Sequence, residues 1–534
     1  MSPRPPRWFD LFDASPAGSA AGWSRRRFLR VGRDVAALLA AGALPAWRSD
    51  PRPPFRQNPF TFGVASGDPG PGGVVLWTRL DPGAVRDAGA VGRDVAVRWE
   101  VAEDDGFRTV VRSGESRALP ELGHSVHAEV DGLEPGRPYW YRFHTGGVGS
   151  VAGRTRTAPA RGASPERLRF AFASCQNFDH GYFTAYRHMA EEDPDLIVHL
   201  GDYIYESRWG EIVRDTGLEE PYTLDDYRDR YALYRREEPL QTAHAACPWV
   251  VTWDDHEVDN NYADDVPEDA QGRDAFLLRR AAAYQAFYEF MPLRRSSIPT
   301  GPNMQLFRRL DFGDLARFHV LDTRQYRADQ ACGDGWRPRC WQAEVGERSL
   351  LGPEQEVWLE DGLWRSPARW NVLAQQVRMA QATMPDPEGG DPSYALDMWD
   401  GYPRARQRLL DALAEERPAN PVVLTGDIHS HWAADLKRDF RDPRSETVGV
   451  ELVGSSITSG GDGAEAWESS PRILDANPHI RFFNARRGYV RVTLDRRRCT
   501  SEFRVVPWVS RPGAPLETRA RFVVEDGRPG LAEA

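Results

Sequence analysis

Four short apolar runs each open directly into clusters of Cys, Asp, Tyr or His, and this pattern restricts the fold more than any other feature of the chain. The run at 168–173 meets Ser174-Cys175, and the run at 196–200 meets Gly201-Asp202-Tyr203-Ile204-Tyr205-Glu206. Pro248-Trp249-Val250-Val251-Thr252-Trp253 meets Asp254-Asp255-His256-Glu257, and 422–424 leads into Gly426-Asp427-Ile428-His429. A short, continuously apolar run reads as a strand buried on both faces, the kind found in parallel sheets. A free acidic surface loop needs no such lead-in. The chain is therefore expected to gather its chemistry at the ends of buried strands.

With 534 residues, 41% of them hydrophobic and 18 of them tryptophan, the chain has ample material for large cores and is no disordered polymer. A net charge of −11 gives no basic surface for nucleic acid. Lys437 is the only lysine. Five cysteines are too few for a disulfide scaffold. Cys332 and Cys340 bracket a loop rich in Gly, Pro and Arg and suit a local bridge in an exported protein. Cys247 and Cys499 read as buried thiols, whereas Cys175 has motif company.

Residues 1–46 read as a twin-arginine signal peptide. Ser24-Arg25-Arg26-Arg27-Phe28-Leu29-Arg30 precedes a mildly apolar, alanine-rich stretch too short to span a bilayer. This route carries folded proteins and names the twin-arginine translocation machinery as a partner. The product would be secreted, periplasmic or held at the cell surface, with no stable membrane span.

A linker at 47–58 leads to a β-sandwich at 59–158, where short alternating strands are separated by Gly, Pro and Asp. His124 and His127 within it read as exposed strand histidines. A second linker occupies 159–166. An α/β domain follows over 167–525, and 526–534 reads as a tail. Strands are expected at 168–173, 196–200, 249–253, 316–321, 370–374 and 422–424. Helices are expected at 183–192, 274–290, 353–364 and 404–416, with Asp274 as the N-cap of the second.

Asp202 follows a buried strand, with Gly201 permitting the tight turn. Tyr205, three residues on, can share its pocket, and a phenolate favours a hard trivalent ion such as Fe3+. Asp254, Asp255 and Glu257 crowd His256, a density that needs a cation or solvent to balance it. Asp427 and His429, two apart, can point the same way from extended backbone, and His431 continues the alternation as a residue supporting the ligands.

Together these segments resemble a known family. Ser-Cys after the first strand, Gly-Asp-Tyr-Ile-Tyr-Glu, Trp-Asp-Asp-His-Glu-Val-Asp-Asn-Asn, Leu-Asp-Thr-Arg-Gln-Tyr-Arg at 321–327, Trp-Asp-Gly-Tyr-Pro at 399–403 and Gly-Asp-Ile-His are similar to those of PhoD-type alkaline phosphatases. These are secreted members of the calcineurin-like metallophosphoesterase superfamily. The resemblance implies an α/β fold: a four-layer αββα metallophosphoesterase core preceded by an immunoglobulin/fibronectin-like β-sandwich. It implies Fe3+ and Ca2+. Cys175, Asp202 and Tyr205 would bind iron, Asp427 and His429 would help complete the cluster, and Asp202 would bridge to calcium. The Asp254-Asp255 segment would add ligands, with the family register favouring Asp255. Most superfamily members carry Asp-x-His where this chain has Ser174-Cys175, which fits the PhoD branch.

The implied reaction is hydrolysis of phosphomonoesters, and of phosphodiesters, by in-line attack of a metal-held hydroxide or oxo group. His256 would stabilise the transferring group or protonate the leaving oxygen, and Arg324 is the candidate for a bidentate grip on the phosphate. A phosphodiesterase acting on phospholipid headgroups or cell-wall polymers would use the same site.

Overall fold

The computed structural model describes residues 54–345 and 348–534. The leader sequence lies outside the described residues. Three hydrophobic cores separate four layers, in the order helices, sheet, sheet, helices.

The strands of the N-terminal part are β1 Val64–Gly70, β2 Gly73–Arg79, β3 Val95–Ala102, β4 Val110–Ala118, β5 Ser125–Asp131, β6 Pro138–Thr145, β7 Val148–Gly149 and β8 Gly153–Arg156. β1, β2 and β5 form one antiparallel sheet; β4, β3 and β6, with β7 and β8 on β6, form the other. Inward residues of both, such as Val74, Leu76, Val97, Val101, Tyr141 and Phe143, make a shared core. This is a β-sandwich, and its first sheet joins the main domain. Gly67 of β1 pairs with Trp249, and Asp68 Oδ1 accepts from Arg308 Nε at 2.9 Å and Nη2 at 2.7 Å.

The main domain begins with β9 Arg167–Ala173, β10 Leu196–His199 and β11 Trp249–Val251, which are parallel neighbours. The second sheet contains β12 Arg308–Phe312, β13 Ala316–Val320, β15 Trp370–Ala374, β17 Pro421–Thr425, β18 His431–Lys437 and β19 Thr447–Val453. Between them in sequence, β14 Trp336–Arg337 and β16 Tyr394–Ala395 form a separate two-stranded ladder. β13, β15, β17 and β19 run parallel. The short β20 Gly463–Ala464 precedes β21 Ile480–Asp495, which pairs with β18 through its first half and with β9 through its second. Gly488 lies between those halves at φ 151°, where a Cβ would fall 1.9 Å from Arg504 O. β22 Arg498–Val506, β23 Glu517–Glu525 and β24 Arg528–Glu533 complete the first sheet.

The continuous apolar runs have a simple cause. Phe170 and Phe172, Leu196 and Val198, Val372 and Ala374, and Val422 and Leu424 fill the space between the sheets. Their neighbours Ala171, Ile197 and Trp249 face one helical layer, and Leu373 and Val423 face the other. Both faces are covered, so both parities must be apolar. Each large side chain here contributes on the order of 1.5–3 kcal/mol. Helices Thr184–Glu191, Leu224–Arg235, Glu238–Ala246 and Arg273–Phe290 cover the first sheet. Pro353–Trp364, Pro403–Glu416 and Ser470–Ala476 cover the second.

Three expectations are corrected. Residues 526–534 are not a free tail: β24 pairs with β23, Leu531 enters the inter-sheet core, and its N–H donates to Asp435 Oδ1 at 2.8 Å. His124 and His127 are buried: His124 Nε2 lies 3.0 Å from Arg93 O, and β5 packs His127 against the main domain. The His127 ring stacks on Tyr288 with centroids 4.2 Å apart, and its Nδ1 lies 3.0 Å from Leu293 O. Gly272 rather than Asp274 caps the 273–290 helix, leaving Asp274 to favour the dipole from the first turn. Cys332 and Cys340 are disulfide-bonded, and Cys175, Cys247 and Cys499 are free and buried. Among the described residues no helix is long and apolar enough to cross a membrane.

Candidate metal centre

The candidate residues follow the C-terminal ends of the parallel strands β9, β10, β11, β13 and β17, so the loops of both sheets meet in one place. The first sheet delivers Cys175, Asp202, Tyr205, Asp254, Asp255 and His256; the second delivers Arg324, Asp427 and His429. The loops are tight. Cys175, Asp202, Asp427 and His429 adopt left-handed backbone, at φ 60°, 56°, 64° and 52°. Each such residue costs on the order of 1–3 kcal/mol and persists only where its surroundings hold it. Gly201 stands at φ 108°, and a Cβ there would lie 2.4 Å from Asp254 N. Glu257 fastens the same two loops. Its Oε2 accepts from Asp202 N at 3.0 Å and Asp254 N at 2.9 Å, and Oε1 accepts from Tyr203 N at 2.6 Å.

Asp202 is the common member of three groups whose ligand atoms lie within 4.8 Å of one another. One adds Cys175 and His429, a second adds Asp255 and His256, and the third adds Asp254, Asp255 and Asp427. Tyr205 belongs to the first by contact. Its hydroxyl donates to Asp202 Oδ2 at 2.9 Å, lies 3.1 Å from His429 Nε2 and accepts from Ser459 Oγ at 2.8 Å. Trp209 stacks on the His429 ring at 5.5 Å.

Four buried oxygens have no hydrogen-bond partner: Asp202 Oδ1, Asp254 Oδ2, Asp255 Oδ1 and Asp427 Oδ2. Buried carboxylate oxygens are rarely left unmatched, and here they converge. Burial pushes the Asp202 and Asp427 carboxyls well up, with Asp254 and Asp255 adding to the shift. Burial also lifts Asp254, to about 6, against the pull of Arg324. For Asp255 burial is outweighed by Arg324 and His256, which hold it below the usual carboxylate range. Burial opposes charge on His256, but Glu206, Asp255 and Asp202 raise it well above the ordinary imidazole range. His429 is pushed well down, first by burial and then by Arg487. The cluster is short of positive charge, and the convergent open oxygens fit cations.

All nine sequence-derived candidates meet here, but Arg324 is engaged differently from expectation. It is fully buried, its Nε donates to Asp254 Oδ1, and its Nη1 donates to Asp397 Oδ1 at 3.1 Å. Nη2 lies 2.9 Å from Asp397 Oδ2 and 3.6 Å from Asp255 Oδ1. Nε and Nη1 are thus committed to carboxylates, whereas the buried Nη2 has no hydrogen-bond partner. His431 stands back from the ligand groups, its Nδ1 accepting from Ser455 N at 3.0 Å.

Sequence reasoning assigned no role to Glu206, Glu257, Asp397 or Trp209. Glu206 and Glu257 sit inside quoted motifs, so their segments were visible even though their contacts were not. Asp397 and Trp209 carried no signal of their own.

Comparison with known proteins bears on family and fold. The profile of a family described as PhoD-like phosphatase matches residues 170–503, and one described as PhoD-like phosphatase, N-terminal domain matches residues 46–159. The chain is 50% identical over 519 residues to "Alkaline phosphatase D" of Bacillus subtilis (strain 168), covering 95% of this chain and 89% of that protein. A solved structure described as "Structure of PhoD" superposes with a TM-score of 0.87 at 51% identity, over 90% of this chain and 93% of the other.

Proposed function

The chain belongs to the PhoD-like phosphatase family, and we propose that it is an exported alkaline phosphatase that uses Fe3+ and Ca2+ to release inorganic phosphate from phosphomonoesters and to cleave phosphodiesters. The carrying observation is that Asp202 is shared by three ligand groups while four convergent carboxylate oxygens lack partners.

The donor chemistry fits two kinds of ion. Cys175, Asp202, Tyr205 and His429 offer the thiolate, phenolate and imidazole set suited to iron. Asp202, Asp254, Asp255 and Asp427 offer an all-carboxylate set suited to calcium. When bound, the ions supply positive charge against the phosphoryl oxygens and make water more acidic.

The chain's own residues supply the rest. Glu206 engages His256 Nδ1 at 2.7 Å, which leaves Nε2 to serve the ester. In-line displacement forms a bond from water oxygen to phosphorus and breaks the ester P–O bond opposite. The leaving alkoxide takes the proton that His256 carries. Arg324 keeps Asp254 and Asp397 in place through Nε and Nη1.

Hydrolysis of p-nitrophenyl phosphate and bis(p-nitrophenyl) phosphate by protein loaded with Fe3+ and Ca2+, with elemental analysis, tests the reading. Asp202→Asn should abolish both activities and lower metal content. Full turnover in that variant, or in metal-free protein, would overturn it. The Cys332–Cys340 bridge supports an oxidising destination. Replacing Arg25, Arg26 and Arg27 with lysine should leave the enzyme in the cytoplasm; undiminished export would remove the twin-arginine route.

A further inference from the structure

Arg487 lies on β21, between the half that pairs with β18 and the half that pairs with β9. It is buried, and among the described residues it makes no ion pair. Its Nη1 instead donates to three neutral oxygens: His429 O at 2.7 Å, Ser459 O at 2.7 Å and Ser456 Oγ at 2.6 Å. Nη2 donates to Ala485 O at 2.6 Å. Ser459 carries the contacts onward. Its Oγ lies 2.8 Å from Cys175 O and 2.8 Å from the Tyr205 hydroxyl. The Cys175 carbonyl also accepts from Ser459 N at 3.3 Å and Thr458 N at 3.4 Å.

We propose that Arg487 and Ser459 are positioning residues, a clasp that fixes Cys175, Tyr205 and His429 as one donor set. Cys175 and His429 both hold left-handed backbone, and each would relax without an outside restraint. The restraint falls on the carbonyls of those two strained residues, and the Arg487–Ser459 bond ties one to the other. The Tyr205 hydroxyl is the third point, aimed by Ser459. Glycine makes the approach possible: a Cβ at Gly463 would lie 2.6 Å from Arg487 Nη2. Arginine suits the task because its planar fork reaches several acceptors at fixed angles, whereas lysine offers a single point. Neither residue touches substrate in this arrangement. The assignment rests on the proposed function, since a donor set needs an ion to hold.

The test uses the full chain loaded with Fe3+ and Ca2+ and follows iron release to EDTA by visible absorption and elemental analysis. Ser459→Ala removes one oxygen without adding volume and is the primary variant. It should release iron at least tenfold faster than wild type, shift the visible band and lower kcat with KM within twofold. Arg487→Lys should give an intermediate release rate and Arg487→Met the fastest. Melting temperature is recorded in parallel, because a merely structural role would lower it and leave band, release rate and kcat of the folded protein unchanged. Wild-type release and spectrum in Ser459→Ala would overturn the clasp alone. A wild-type protein that takes up no iron would overturn the clasp and the metal reading together, and shows itself before any variant is made.

Discussion

The Glu206 carboxylate holds His256 Nδ1 at 2.7 Å, and the His256 ring lies against Tyr205 with centroids 4.1 Å apart. The imidazole is thus fixed in orientation, and both side chains are nearly closed to solvent. A proton donor held in this way matters most when the leaving group is basic. His256→Asn should lower kcat on an alkyl phosphate by about 10²–10⁴-fold. The loss on p-nitrophenyl phosphate should be much smaller, because p-nitrophenolate departs without a proton. Glu206→Gln should show the same dependence on leaving group at reduced size. Equal losses on both esters would remove His256 from proton transfer.

Arg324 supplies internal positive charge to a crowd of acids. Arg324→Met leaves Asp254 unpaired, while Asp397 keeps Arg327 at 3.1 Å and Gln330 at 2.7 Å; breaking a buried pair in this way costs on the order of 3–5 kcal/mol. Urea unfolding of metal-free protein should register the loss. Added Ca2+ should restore more stability to the variant than it adds to wild type, since a cation takes over the missing charge. An identical calcium response in both proteins would argue against this role.

Gly201 allows the loops after β10 and β11 to touch. Gly201→Ala places a Cβ against the backbone of Asp254 and strains φ at 108°. The expected result is a folded protein with a lower melting point, reduced metal content and at least about tenfold less activity, since small misplacement of catalytic groups is costly. Wild-type metal content and turnover would show that the contact can relax freely.

Acid should unfold the protein early. Burial lowers His127 to about 4 and His199 and His319 to about 3, against 6.5 when unfolded. Above pH 6.5 these side chains are neutral in both states, and their burial carries no protonation penalty. Below it the unfolded chain binds protons that the folded chain refuses, so stability is lost as pH falls from about 6.5 towards 4 and 3. Each histidine adds up to about 1.4 kcal/mol per pH unit in that window. Urea midpoints from pH 7 to 4 measure the slope, and His319→Phe should reduce it by one proton. An unchanged slope would mean that His319 titrates normally in the fold.

The elements legible in the sequence were those whose burial leaves a local trace. Runs such as 422–424 are apolar at both parities because both faces are covered, and motifs at their ends mark the site. The helix Leu224–Arg235 left no such trace. Its buried face includes Arg230 and Arg235, which spoil an apolar stripe, although Thr223 and Asp226 form a capping box at its start. β24 was hidden because Leu531 is its one buried residue, set between Pro529-Gly530 and Ala532 with charged ends at Arg528 and Glu533. Arg324 was legible as a site residue but its pairing was not, since its partner Asp397 lies 73 residues away. The Ser459–Arg487 contacts are likewise long-range bonds between residue types that mean nothing singly.

β21 belongs to both sheets without interruption. Sandwiched sheets held only by side chains can slide past one another, and a site shared between them would change its span with every slip. Here one covalent chain crosses the seam and removes that freedom. The gap between Asp202 on one side and Asp427 on the other is therefore set by backbone geometry and is as stiff as the strand itself.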